Sequence, residues 1–296
     1  FSRIDFATRD QLRGPKSNEK ILVIDAEKFE PEGDLCDAVL IVKAFKLGWK
    51  HFIVYKYRGQ RFTGCGFGPA TRDVRIDVYG SSGDYIASGI DGMEIYVHGN
   101  AQDQLCQIMK EGKLVVFGDV GQTFMYGAKG GSAYIMGNAA GRPLINAVGK
   151  PRVVINGTAL DYLAESFMAG DPLKGGGFVI VNGIGFKDTD GSIYEYDSPY
   201  PGSNIFSLAS GGAIYIRDPY RKLVEEQLNG GEFVEIADAD WDLIVPYLEE
   251  NERLFDISIE GLLTVAGGKK TPREVYRKIR PRKAAAVKKD DDGLEE

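Results

Sequence analysis

Six short apolar runs each close on a glycine at a nearly constant interval, and this repetition restricts the fold more than any other property of the chain. The first four are "VRIDVYG" ending at Gly80, "EIYVHG" at Gly99, "KLVVFG" at Gly118 and "SAYIMG" at Gly137, and these four glycines are equally spaced. The run "RVVING" then closes at Gly157, one position later than the period requires. The run "GGFVIVNG" closes at Gly183 after a distinctly longer step, which places an insertion near "GDPLKGG". A later unit, "FSLASGGAIYIRD", keeps a glycine pair and apolar alternation up to Asp218. A fixed period has to be explained before any motif is read, because a repeat decides the architecture around it.

The runs are too short for helices and alternate with a period of two, as half-buried strands do. Glycine at this density also penalises a helical solenoid. A unit that makes one circuit sets each strand above its predecessor, about 4.8 Å away. The expected fold is therefore mainly β: a right-handed parallel β-helix with coils of about 19 residues, an N-terminal α/β cap and C-terminal helices. Ile95/Val97, Val115/Phe117 and Tyr134/Met136 alternate with their neighbours, and one set of each pair must fill the interior. The alternation does not say which set. The closing glycines supply positive φ, or the absence of a Cβ, where coils crowd.

An open parallel edge at either end of such a rod invites aggregation, and the flanks read as covers. "KILVIDA", "GDLCDAVLIVKAFKLG" and "HFIVYKY" read as strand, amphipathic helix and strand, with Ala38, Ile41, Val42 and Phe45 on one helix face. At the far end "DADWDLIVPYLEENERLF" reads as a helix capped by Asp238 or Asp240, with Pro246 at a kink or break. "TPREVYRKI" opens with a capping box from Thr271 to Glu274 and reads as a second helix. The expected divisions are a cap over 1–60, the β-helix over 61–235, a helical segment over 236–280 and a charged, disordered tail over 281–296.

Composition narrows the function classes. Among 296 residues the net charge is -7, which argues against a nucleic-acid partner. Three scattered cysteines, Cys36, Cys65 and Cys106, form no CxxC pair and fit a reducing compartment. No apolar stretch is long enough to span a bilayer and no secretory leader opens the sequence, so a soluble cytoplasmic protein is expected.

Candidate chemistry is sparse. A cysteine nucleophile needs a base, and the only histidines are His51 and His98. His98 ends a repeat strand and reads as a packed side chain beside Phe117 and Met136. His51 begins a cap strand with no constellation evident around it. Cys106 is equivalent to Met125 in the next unit, which favours core filling. Asp84 and Asp103 are equivalent in adjacent units. They could hold a cation, but Gln122 and Arg142 continue the column, which favours capping of backbone N–H groups. "GCGFGPA" precedes a strand pattern rather than a helix, and "GAKGGSA" lacks the ending of a P-loop, so neither reads as a phosphate cradle. "DPYRKLVEEQLNGGEF", with Tyr220 and Leu223, reads equally as an interface element and as a solvated helix. No catalytic, cofactor-binding or metal-ligating residue is assigned.

With "GDYIASGIDGMEIYVHGNAQDQLCQIMKEGKLVVFGDVGQTFMYGAKGGSAYIMGNAAG" set out by unit, the chain resembles the GXGXG domain that ends the large subunit of glutamate synthase. Stand-alone relatives of that domain occur as subunits of glutamate-synthase-like complexes and of formylmethanofuran dehydrogenase. The resemblance spans Lys20 to Gly183. It implies a non-catalytic scaffold subunit of an oxidoreductase complex. Its partners would be a glutamine-amidotransferase-like subunit and an FMN/iron-sulfur synthase-like subunit. FMN and iron-sulfur clusters would then belong to the partners and none to this chain. The alternative implied is the equivalent component of a formylmethanofuran dehydrogenase-type complex. The resemblance carries no catalytic residue onto this sequence.

Overall fold

The computed structural model describes residues 1–187 and 192–282. The strands in chain order are β1 (Ser2–Ile4), β2 (Ile21–Asp25), β3 (His51–Arg58), β4 (Arg75–Ser81), β5 (Asp91–His98), β6 (Glu111–Val116), β7 (Ser132–Ile135) and β8 (Arg152–Ile155). There follow β9 (Phe178–Val181), β10 (Ile184–Phe186), β11 (Ile193–Glu195), β12 (Ala213–Arg217), β13 (Gly231–Val234), β14 (Thr264–Val265), β15 (Gly268–Lys269) and β16 (Tyr276–Pro281). The helices are α1 (Asp37–Lys46), α2 (Asp238–Phe255), α3 (Ile259–Leu262) and α4 (Pro272–Val275).

One sheet of 12 strands dominates, in the order β1-β2-β3-β4-β5-β6-β7-β8-β9-β12-β16-β13. Pairing is parallel from β1 through β12. The repeat is the register. Ile95 lies opposite Leu114, then Ala133, Val153, Val179 and Ile214 in succession. Beyond each strand the units touch again through parallel bridges linking Ser82, Ala101, Val120, Ala139 and Ala159. The structure is therefore mainly β, with strands stacked in sequence order and short helical elements at each end.

Alternation along each strand sorts side chains into two cores. Val97, Leu114, Val116, Ala133, Ile135, Val153 and Ile155 are fully buried in the interior, against the turn segments of their own units. Val115 and Tyr134 point to the opposite face and pack with Val154, Ile180, Tyr215, Ile244 and Leu248. Both sets are therefore used, one inside and one beneath α2. The N-terminal strands do not form a separate layer. They extend the main sheet, and α1 buries Leu40, Ile41 and Ala44 in the interior cluster.

Helix α1 carries one costly group. The Asp37 side chain is fully buried. Tyr57 Oη donates to Asp37 Oδ2 at 2.6 Å, Thr63 Oγ1 touches the same phenol, and Cys36 precedes it. Among the described residues Asp37 Oδ1 has no partner. Burial outweighs the Tyr57 hydrogen bond and raises this carboxyl from 3.8 to about 6. In that window the folded chain holds a proton that the unfolded chain has released. Stability therefore falls as pH rises from about 4 to about 6, by on the order of 2–3 kcal/mol, and stays at the lower level above it. Asp37→Asn should raise the melting temperature at neutral pH and leave it nearly unchanged near pH 4. A variant less stable than the parent at neutral pH would contradict this assignment.

The turn segments depart from expectation. Positive φ is expected of glycines, yet within each unit it recurs at alternate positions regardless of residue type. Tyr85, Gln104, Thr123, Arg142 and Tyr162 form one such column, and Ala87, Cys106, Met125, Leu144 and Ala164 another. Their N–H groups bond outward to neighbouring units, as in Gln104 N to Gln122 O at 2.8 Å and Cys106 N to Ile86 O at 2.9 Å. Stacking thus imposes a conformation that L-residues avoid at about 1–2 kcal/mol each. Ile108, at φ 51° and 51% exposed, shares a column with Gly89 and Gly127. Ile108→Gly should therefore stabilise the protein by about 1 kcal/mol, measurable by urea denaturation. A loss of that size would show that Ile108 contributes through packing instead.

At the C-terminal end α2 runs unbroken through Pro246. The Asp240 carboxylate accepts from Ala237 N at 3.0 Å, capping it. The capping box at Thr271 is present, with Thr271 N donating to Glu274 Oε2 at 2.7 Å. The predicted helix after it lasts one turn only. Tyr276–Pro281 is instead β16, antiparallel to both β12 and β13. Tyr276 and Ile279 are buried there on opposite faces, a period of two that a helix cannot serve. Of the charged tail expected over 281–296, residues 283–296 lie outside the described residues.

Candidate functional site

The outward face of the sheet is ruled by three columns of side chains, set by the parallel register. One runs His51, Arg75, Glu94, Lys113; the next Ile53, Asp77, Tyr96, Val115, Tyr134; the third Tyr55, Tyr79, His98, Phe117. From β6 onward the middle column turns to Val115, Tyr134, Val154 and Ile180 and packs with Ile244 and Leu248 of α2. The helix is held there by a buried polar cluster. Asn156 Nδ2 donates to Asn251 Oδ1 at 2.8 Å, and Asn251 Nδ2 returns a bond to Asn156 Oδ1 at 2.9 Å. Asn182 Nδ2 donates to the same Asn156 oxygen, and Tyr276 Oη donates to Asn182 Oδ1.

Over β3 to β5 the same columns, Ile53 apart, are polar and aromatic, and among the described residues no helix packs over them. At the centre sits Asp77, only 5% exposed. Arg75 grips it with Nε to Oδ2 at 2.7 Å and Nη2 to Oδ1 at 2.9 Å. His51 and His98 each bring Nε2 to within 3.3 Å of the carboxylate. Burial alone would raise this carboxyl, but Arg75, His98 and His51 together hold it below its ordinary value. Asp77 is therefore a fixed anion at neutral pH.

Aromatic stacking reinforces the cluster. The His98 ring lies between Tyr79, with centroids 4.2 Å apart and planes at 4°, and Phe117, at 4.8 Å and 10°. Phe117 meets Phe255 of α2 edge-on. Arg75 sits over the Tyr96 ring at 4.1 Å, and Tyr96 Oη donates to Glu94. Lys113 then bridges Glu94 and Glu250 of α2 at 3.6 and 2.8 Å. The open and covered halves of the face are thus one continuous network. Tyr79, 45% exposed, is its most accessible ring.

Both histidines of the chain meet at one carboxylate, which the sequence reading missed for His51. His98 is packed as expected, and in addition pairs with Asp77. The available signal was Asp77 itself, a charged residue at mid-strand between Ile76 and Val78. Such a residue, once buried among its neighbours, needs partners. Among the described residues no serine, threonine or cysteine hydrogen-bonds to either imidazole, so the cluster offers charge and stacking.

The remaining sequence candidates lie elsewhere. Cys106 is buried in the interior column between Ala87 and Met125, and burial pushes its thiol far up. Burial also pushes the Cys65 thiol up to about 11. Cys36 is buried immediately before α1. A thiol held protonated, as at Cys106 and Cys65, is a poor nucleophile. Asp84 and Asp103 act as caps. Asp84 Oδ1 accepts from Asp103 N at 3.1 Å, and Asp103 Oδ1 from Gln122 N at 2.8 Å. Asp84 is further engaged by Arg61, and Arg142 pairs with Glu165. A second such ladder runs alongside, from Asn100 to Asp119 to Asn138 to Thr158. Among the described residues, no group of three or more His, Cys, Asp or Glu side chains is placed to hold a metal ion, and no helix is long and apolar enough to cross a membrane.

The stacked units coincide with a recognised family. The GXGXG motif family matches residues 57–245, from the end of β3 into α2. The uncharacterized protein MJ1350 of Methanocaldococcus jannaschii is 31% identical over 214 residues, covering 70% of this chain and 75% of that protein. The chain belongs to the GXGXG motif family, which is associated with glutamate-synthase-like and formylmethanofuran-dehydrogenase-type subunits.

Proposed function

We propose that this chain is a non-catalytic scaffold subunit of a glutamate-synthase-like complex, built on a right-handed parallel β-helix. The β-helix spans 61–235 between an N-terminal cap over 1–60 and a C-terminal covering segment over 236–280. Its partners are a glutamine-amidotransferase-like subunit and an FMN/iron-sulfur synthase-like subunit, which hold the cofactors. The observation that carries this reading is the division of the sheet's outer face. One half is sealed by the chain's own helix, while the other presents a rigid, pre-paired set of charges and rings on the same columns. Apolar side chains fill the interior, so what the stack offers other molecules is its surface. A stack whose units bond to both neighbours holds such a surface with little give.

The test is anaerobic purification of the tagged protein from its native host, with mass spectrometry, flavin and iron assays of the eluate. Recovery of an amidotransferase with a flavin and iron-sulfur subunit is expected. A pterin-metal partner instead would move the assignment to a formylmethanofuran-dehydrogenase-type complex. An unaccompanied chain would overturn the scaffold reading. Tyr79→Ala should cut partner recovery severalfold while leaving the melting temperature within a few degrees, since this ring is substantially exposed. Undiminished recovery would remove the open face from the interface.

A further inference from the structure

Three Asn-Gly pairs occur in the sequence: Asn156-Gly157, Asn182-Gly183 and Asn229-Gly230. An asparagine before glycine can lose its amide without an enzyme, because no side chain blocks attack by the following backbone nitrogen on the asparagine Cγ. Two conditions govern that attack in a folded protein. The glycine N–H must be free to lose its proton, and the side chain must be able to swing onto its own backbone within reach of water.

The first two pairs meet neither condition. Gly157 N donates to Gly137 O at 2.9 Å, and Gly183 N donates to Gly157 O at 2.9 Å. Asn156 and Asn182 are fully buried and belong to the amide cluster beneath α2. The third pair differs on both counts. Asn229 is exposed, and among the described residues the Gly230 N–H has no hydrogen-bond partner. The Asn229 amide donates from Nδ2 to Asn204 Oδ1 at 3.1 Å and to the buried Ser207 Oγ at 3.2 Å, two bonds that break before the side chain swings onto its own backbone.

We propose that Asn229 is a site of spontaneous deamidation and isoaspartate formation. The deprotonated Gly230 nitrogen attacks Asn229 Cγ, the bond from Cγ to Nδ2 breaks, and ammonia departs carrying the proton. Water then opens the resulting succinimide at either carbonyl, giving aspartate or isoaspartate at this position. The balance is one water consumed and one ammonia released per event. Either product replaces an N–H donor with a carboxylate facing the Asn204 side-chain oxygen, and adds one negative charge.

Isoaspartate also lengthens the main chain by one carbon immediately before β13. That edge strand pairs with β16 from Gly231 opposite Pro281, and Gly230 O accepts from Arg282 N at 2.7 Å. Ageing at this site therefore loosens the C-terminal edge of the sheet and the turn from Asn204 to Ser207 that Asn229 holds through its side chain and through Asn229 N to Ile205 O at 2.9 Å.

The experiment is incubation of the purified folded chain at mildly alkaline pH, followed by peptide mapping with an isoaspartyl methyltransferase assay. Only the Asn229 peptide should acquire the one-dalton shift and the methyl-accepting product. In urea all three pairs should react at similar rates, and Asn229→Gln should abolish the shift in the folded chain. A folded protein in which Asn229 stays intact while the urea-treated sample reacts would overturn the proposal. So would equal reaction at Asn156 and Asn182 in the folded state.

Discussion

Gly118→Val should be among the most destabilising single changes in the stack. A Cβ at Gly118 would lie 2.3 Å from Asn100 Oδ1 and 2.9 Å from Gly99 O. Neither neighbour can withdraw cheaply. Asn100 Oδ1 accepts from Asp119 N at 2.9 Å, and the Gly99 oxygen is main chain of the unit below. The same crowding recurs at Gly137, where the nearest atom is Asp119 Oδ1 at 2.1 Å. Neither glycine has positive φ, so the residue type is demanded by proximity alone. A loss of about 3 kcal/mol or more is expected, combining a steric shift with one broken rung of the amide ladder. Thermal or urea unfolding measures it. Melting at the parent temperature would mean that the stacking register is wrong.

Asn156→Ala should cost a comparable amount for a different reason. Asn156 receives Asn251 and Asn182 on its oxygen and donates to Asn251 and to Ile135 O at 2.9 Å. Its removal leaves amide groups of Asn251 and Asn182 buried without partners, at about 1–3 kcal/mol for each orphaned group. The loss should be concentrated in α2. Hydrogen exchange should therefore accelerate in Asp238–Phe255 more than in β4 to β7. Uniform acceleration, or none, would show that these amides do not anchor the helix. Asn156→Ala paired with Asn251→Ala should cost less than the sum of the single changes, as for any shared network.

The stacking of strands could be read from glycine spacing, since a period in sequence and a register in space are the same quantity when each unit returns to its start. The caps were similarly evident: Asp84 and Asp103 stood at equivalent positions, and a short carboxylate beside a turn bonds the nearest N–H. The left-handed columns were not evident, because nothing about Thr123, Arg142 or Met125 marks a residue for positive φ. Their conformation is imposed by hydrogen bonds from the units above and below. The exchange of a predicted helix for β16 has the same origin. "VYRKI" is short enough to serve either period, and the open edge of β12 decided between them. The site was hidden for a related reason. His51, Asp77 and His98 lie far apart along the chain and meet only because three parallel strands align them.

In the proposed assembly the open half of the sheet face, around Asp77, receives a partner. Hydroxyl-radical footprinting of the native assembly against the isolated chain tests it most directly. Tyr79, His98 and Tyr55 should lose reactivity in the assembly, while Phe1 and Tyr220, exposed at other places on the chain, keep theirs. Unchanged reactivity at Tyr79 and His98 in an intact assembly would contradict the claim.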